Sequence, residues 1–208
     1  MILGQITKVS GFSIQINQTS VLSRLGYRQG TTKLSAAAGR VLKGSFKSAE
    51  TKIHPQGVYR TDKIKEKSND TITFTSISTT FRGRSITKLL SPCFAAILTA
   101  VTIGMELEEL INHETSAGNL DKALALDALG SEAAEAAAGS LNNHLISLAR
   151  QEKLLLTERY SPGYGDFTLD HQIQFFQALS LGDIGISIEK NFLLTPRKTI
   201  TAVIGVVQ

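Results

Sequence analysis

Apolar residues recur at two different periods along the chain, and the periods predict its elements. Between Leu120 and Gln151, Ala134, Ala138, Leu141, Leu145 and Leu148 stand three and four apart, the spacing of one buried helical stripe. This predicts a long helix, with Gly130 as a candidate break or kink. From Cys93 to Ile103 the apolar positions run almost without interruption, which predicts a central strand buried on both faces. In Thr71 to Ser78, Ile72, Phe74 and Ser76 alternate with Thr71, Thr73 and Thr75, the period of a strand, and Val58 to Arg60 reads as another. The charged stretch Lys63 to Asp70 between them suits a hairpin loop.

Punctuating residues place the remaining elements. Thr19 to Tyr27 reads as a short helix capped by Thr19 or Ser20 and stopped at Gly26. Thr32 to Thr51 predicts a longer helix, Ser85 to Leu90 a short one closed by Ser91-Pro92, and Met105 to Glu114 a further helix after Gly104. Leu154 to Thr157 is a short strand that leads into the loop Arg159 to Asp166, and Thr168 opens a helix running to about Leu181. Ile184 to Ile188, Phe192 to Leu194 and Thr199 to Val207 read as strands. The order is neither a regular βαβ alternation nor two segregated blocks, so the fold class is α+β.

Composition narrows the picture. The 208 residues, 42% of them hydrophobic, suffice for one sizeable core, and no apolar run approaches the roughly 20 residues needed to span a bilayer. Met1 to Phe12 has no cationic segment followed by an apolar run, so a soluble, cytoplasmic, single-domain protein is expected over residues 1–208. One cysteine excludes an intramolecular disulfide, and His54, His113, His144 and His171 show no ligand spacing, so no metal site is expected. Residues 1–104 carry 15 basic and 4 acidic side chains, residues 105–208 carry 7 and 14. The basic residues form no run and no aromatic interleaving, so two oppositely charged parts folded together are expected rather than a nucleic-acid binder.

Candidate chemistry gathers in Arg159-Tyr-Ser-Pro-Gly-Tyr-Gly-Asp166. Pro162 and Gly163 suit a tight turn, and two glycines allow a ligand to approach the backbone. Arg159 can grip a carboxylate through two parallel hydrogen bonds, and Tyr164 offers an aromatic face to a cation. The same residues also suit an ordinary strand-to-helix connector. Glu132 and Glu135 lie three apart on one helical face, and Glu135 stands among alanines, which leaves room for an ammonium group; a solvated helical glutamate is the plain alternative. Gly163 and Gly165 lack the third glycine of a dinucleotide fingerprint, Cys93 opens an apolar strand, and there is no G-x-S-x-G nucleophile elbow.

The loop R-Y-S-P-G-Y-G-D followed by T-L-D-H-Q-I-Q resembles the R-x-x-x-G-Y motif of the activation domain of cobalamin-dependent methionine synthase. The stretches A-V-T-I-G-M-E-L-E-E, L-D-A-L-G-S-E-A-A-E-A and I-E-K-N-F-L-L-T-P-R-K-T-I-T-A-V-I-G resemble it too, in the family's order. The resemblance spans Ile86 to Val206, with a weaker echo in Val21 to Tyr27, so residues 86–208 match best and 1–85 form N-terminal helices and a hairpin. It implies a curved, mainly antiparallel sheet flanked by helices that binds S-adenosylmethionine. It further implies presentation of the methyl group to cobalamin held by a neighbouring domain. By resemblance Arg159 binds the methionyl carboxylate, the backbone at Ser161 meets the adenine, Gly163 keeps the loop open, Tyr164 stands at the corrin face as the catalytic candidate, and Glu135 is the helical acidic contact. Asn17 or Gln18 falls where the long enzymes place an aspartate.

This chain carries no cobalamin-, homocysteine- or folate-binding module, so the resemblance implies action in trans. The partners are then a separate corrinoid protein and a flavodoxin-like one-electron donor, and the reaction is reductive remethylation of cob(II)alamin. The alternative is a non-catalytic module that binds a corrinoid protein without S-adenosylmethionine.

Overall fold

The computed structural model describes residues 3–11, 13–28 and 30–208. Met1, Ile2 and Phe12, part of the stretch read for a secretory signal, lie outside them. In chain order the elements are β1 (Ile6–Ser10), α1 (Gln18–Arg24), α2 (Ala36–Ala49), β2 (Gln56–Lys67), β3 (Thr71–Phe74), β4 (Thr80–Arg82), α3 (Arg84–Leu90), β5 (Ala95–Thr102), α4 (Glu106–Ser116), α5 (Leu120–Gln151), β6 (Leu155–Leu156), α6 (Gln172–Leu179), β7 (Ser187–Ile188), β8 (Leu194–Thr195) and β9 (Thr199–Val207). Among the described residues, no helix is long and apolar enough to cross a membrane.

The strands pair antiparallel in the order β4-β3-β2-β5-β9-β6, with β1 also on β2, and β7-β8 form a separate ribbon. β2 carries two partners along one edge, β1 over Gln56 to Arg60 and β3 over Ile64 to Lys67, while Gln56 to Lys63 pair with β5 on the other edge. The register slips between Ile64 and Glu66, a bulge that bends the strand and raises its twist, and the sheet curves.

Every residue of β5 is buried, because both faces are covered. Ala95, Ile97 and Val101 point into a cluster with Leu126, Leu129, Ala134, Ala138, Leu141 and Leu145 of α5. Ala96, Leu98 and Ala100 point the other way, toward Phe81, Ile86, Leu90, Phe167 and Phe175. Phe81 is the hub of that second cluster, with ring centroids 5.2 Å from Phe74, 5.2 Å from Phe167 and 5.4 Å from Phe175. Each such aromatic pair contributes about 0.5–1.5 kcal/mol beyond its buried area. Phe167 directly follows the loop 159–166, so this cluster also fixes where the loop ends.

Several local expectations need correction. Lys63 to Asp70 is not a loop: β2 continues to Lys67 because its backbone pairs with β5 and then β3, whatever its charge, and only 68–70 turn. β3 ends at Phe74, and the amides of Ser76 and Ile77 instead donate to the buried Asp62 carboxylate. The cap of α1 is Asn17, whose side-chain oxygen accepts from the amides of Thr19 and Ser20, not Thr19 or Ser20 themselves. Gly130 breaks nothing. A Cβ there would lie 2.9 Å from Leu107 Cδ2, so glycine lets α4 press against an unbroken α5. The buried stripe ends on Ala149, with Leu148 half-buried beside it. Leu181–Ile184 forms a 3-10 turn, which leaves only Ser187–Ile188 as strand in that segment.

Gly205 in β9 tests the packing directly. A Cβ there would collide with Cys93 Sγ and stand 2.9 Å from Leu90 Cδ2. Gly205→Ala is expected to destabilise the fold by about 1–3 kcal/mol in urea unfolding, as overpacking does, and Cys93→Ala in the same chain is expected to restore part of the loss.

Candidate functional site

α5 lays its middle turns across the sheet face formed by β5 and β9, with Ala138 and Leu141 beside Val101 and Ile204. There Glu135 projects from the helix, and Arg159 reaches it from the loop after β6. Arg159 Nη2 donates to Glu135 Oε2 at 3.2 Å, with the side chains 31% and 49% exposed. A pair this open to solvent contributes at most about 1 kcal/mol to stability. Its interest is chemical: a forked cation and a carboxylate, 24 positions apart in sequence, stand side by side.

The loop is fastened at both ends. At its start the backbone of Tyr160 pairs with Val203 of β9, donating at 2.9 Å and accepting at 2.8 Å. At its end the amide of Phe167 donates to Tyr164 O and its carbonyl accepts from Gly163 N at 2.7 Å. The Tyr160 hydroxyl spans the turn and donates to Tyr164 O at 3.1 Å. Gly163 and Gly165 take φ of 94° and 56°, and a Cβ at Gly165 would lie 2.9 Å from the Tyr160 hydroxyl. The outcome is a rigid tip that leaves Tyr164 66% exposed.

Asp166 completes the fastening. Gly83 at the start of α3 has no side chain to cap it, and Asp166 supplies the acceptors, taking the amides of Arg84 at 2.5 Å and Ser85 at 3.0 Å. Hydrogen bonds from the Ser85 side chain and amide, then from Arg84, hold the Asp166 carboxyl below its ordinary range.

Other expected residues fall as follows. Ser161 is half-buried, and its backbone groups make no hydrogen bond among the described residues. Asn17 lies on the arm that runs past α5, where the Ser140 hydroxyl donates to Ser13 O, but its oxygen is committed to the α1 cap. Gln18 is the first residue of α1. Glu132, one turn before Glu135, is paired with Arg24 of α1. Among the described residues no cluster of His, Cys, Asp or Glu could hold a metal.

Sequence reasoning missed two features of the site. Gly139, one turn after Glu135, has no atom within 4 Å of where a Cβ would stand, so open space lies over the helix there. Beneath Arg159 a gap of about 10 Å³, room for a single water, is lined by Thr99, Ala138, Asn142 and Ala202 among others. A glycine in mid-helix costs about 1 kcal/mol relative to alanine, and that cost was the signal available for Gly139. Nothing in the local pattern singled out Asn142.

No protein-family model and no curated relative matches the chain. Among solved structures, the crystal structure of the MetH reactivation domain bound to AdoHcy matches with a TM-score of 0.74 at 16% identity, covering 97% of this chain and 78% of that one. At that identity the likeness establishes the fold: a curved antiparallel sheet flanked by helices.

The Asp166 cap has a definite pH dependence. A carboxyl whose pKa is lowered by folding stabilises the fold fully above its unfolded value and stops doing so as pH falls through the lower folded value. Asp166→Asn is therefore expected to lower the melting temperature at neutral pH, with the difference from wild type shrinking as pH drops below the usual carboxylate range. Melts between pH 2 and 7 check this, and a difference independent of pH would refute it.

Proposed function

We propose that this chain binds S-adenosylmethionine at the Glu135–Arg159 pair and supports reductive remethylation of cob(II)alamin on a separate corrinoid protein. The observation that carries the reading is the adjacency of Glu135 and Arg159, the first residue of the loop that bears the exposed Tyr164. An amino-acid end group has a carboxylate and an ammonium a few ångströms apart, and this pair offers the complementary charge to each. Gly139 leaves the helix backbone open beside Glu135, and the unengaged backbone of Ser161 can meet the edge of an adenine. The shared fold with a reactivation domain that holds AdoHcy supports the same assignment.

In this reading the protein binds and aims, and Gly163 keeps the loop clear of the ligand. S-adenosylmethionine supplies the methyl group, and one electron from a flavodoxin-like donor together with that methyl converts the partner's cob(II)alamin to methylcobalamin, releasing S-adenosylhomocysteine. Transfer requires the methyl carbon to approach the cobalt to about 3–3.5 Å, so the two proteins must dock. Tyr164 stands where a docked corrin face would be met.

A second reading, a non-catalytic corrinoid-protein module, is favoured by one observation: the Asn17 oxygen is spent on the α1 cap rather than turned to the Glu135–Arg159 pair. Calorimetry separates the two. Arg159→Lys keeps the charge but loses the fork, and is expected to weaken S-adenosylmethionine binding by about 1–3 kcal/mol. Unchanged binding would remove Arg159 from the site, and no binding by the wild type would favour the module.

The docking step has its own readout. With a reduced corrinoid protein and an electron donor, the wild type is expected to yield methylcobalamin, followed by absorbance. Tyr164→Ala is expected to slow that step more than it weakens S-adenosylmethionine binding. Equal remethylation of free cobalamin would contradict action through a docked partner.

A further inference from the structure

Asn142 sits two turns after Glu135 on α5, about 10 Å further along the axis, and lines the same narrow gap as Arg159. Its Oδ1 is buried and accepts no hydrogen bond from the described residues. Its surroundings are Val101, Ala138, Leu141, Ile200, Ala202 and Ile204, with Thr99, whose hydroxyl is already donated to Ala202 O at 3.0 Å. A carbonyl oxygen given no protein donor is costly unless it meets a donor in the gap, whether a water or a side chain that turns in. The one cationic donor lining the gap is Arg159, which uses one of its five N–H groups on Glu135.

We propose that Asn142 is a positioning residue for Arg159, a second acceptor to which the guanidinium turns when Glu135 is taken by another cation. In the structure Arg159 rests on Glu135. A ligand ammonium that binds Glu135 displaces it, and Asn142 Oδ1 then holds one Arg159 N–H while the rest of the fork faces the ligand carboxylate. Without that post the freed guanidinium is a flexible cation, and part of the ligand's binding energy goes into ordering it. The ligand half of this inference rests on the proposed S-adenosylmethionine site; the exchange between Glu135 and Asn142 does not.

Two experiments divide accordingly. Nitrogen-15 NMR of the Arg159 side chain in the ligand-free protein tests the exchange. Glu135→Gln alone is expected to leave Arg159 N–H exchange slow, because Asn142 takes it up. Combining Glu135→Gln with Asn142→Leu is expected to speed that exchange about tenfold or more, and Asn142→Asp in place of Leu to restore it. Identical exchange in Glu135→Gln with and without Asn142→Leu overturns the inference. Calorimetry tests the ligand half. Asn142→Leu is expected to weaken S-adenosylhomocysteine binding about five- to twentyfold while leaving methylthioadenosine, which lacks the amino-acid end, unchanged. Equal loss for both ligands, or no loss, overturns the positioning role. Thermal melts confirm folding, with Asn142→Ala as the substitute if the leucine variant does not fold. If the wild type binds neither ligand, the functional reading fails and the NMR experiment still decides the exchange.

Discussion

The double burial of β5 is the constraint on which the rest of the structure depends. Eight of its residues pair with β2 on one side and eight with β9 on the other. Its alternate side chains feed two separate cores, Ile97 and Val101 under α5 and Leu98 and Ala100 under the phenylalanines. A one-residue slip would exchange these sets and place each where the wrong volume is available. The register is therefore fixed from both faces at once. That register positions Val203, and Val203 positions Tyr160, so the loop starts where the core dictates.

From there the loop is defined by its ends rather than by its own contacts. Phe167 is locked in the aromatic cluster, Asp166 on the first turn of α3, and Tyr160 on β9. The short span between them must reverse direction, which the positive φ of Gly163 and Gly165 permits. Tyr164 at the tip points outward, 66% exposed. The exposure of a tyrosine at this tip follows from how firmly its neighbours are held.

Legibility in the sequence followed how much each element depends on its own side chains. α5 and β9 were read to their boundaries because long, strongly periodic apolar patterns specify them. β1 and β4 carry no such pattern. β1 leans on a single partner and is only partly buried, and β4 has three residues. Lys63 to Lys67 reads as a loop by composition and is held as strand by backbone pairing, a case where tertiary context overrides propensity. The components of the site were visible as residue types, but spacing could not show that Glu135 and Arg159 meet, or that Asp166 caps a helix more than 80 residues upstream. Such contacts exist only once the sheet has closed.

The uneven charge of the chain resolves in the same way. Arg24 with Glu132, Lys52 with Glu106, and Lys8 with Asp183 each join the basic first half to the acidic second half. The Lys52 and Lys8 pairs are open to water and each contributes little, while Glu132 is largely covered beneath Arg24. Arg159 and Glu135 differ because both come from the second half and both flank open space. Both remain partly open to water, so little holds them together beyond each other's charge. A ligand with one charge must break this pair and leave the other half unmatched. A zwitterion replaces one ion pair by two and leaves neither half behind. Under the proposed function, a site built on this pair discriminates by the number of charges a ligand brings.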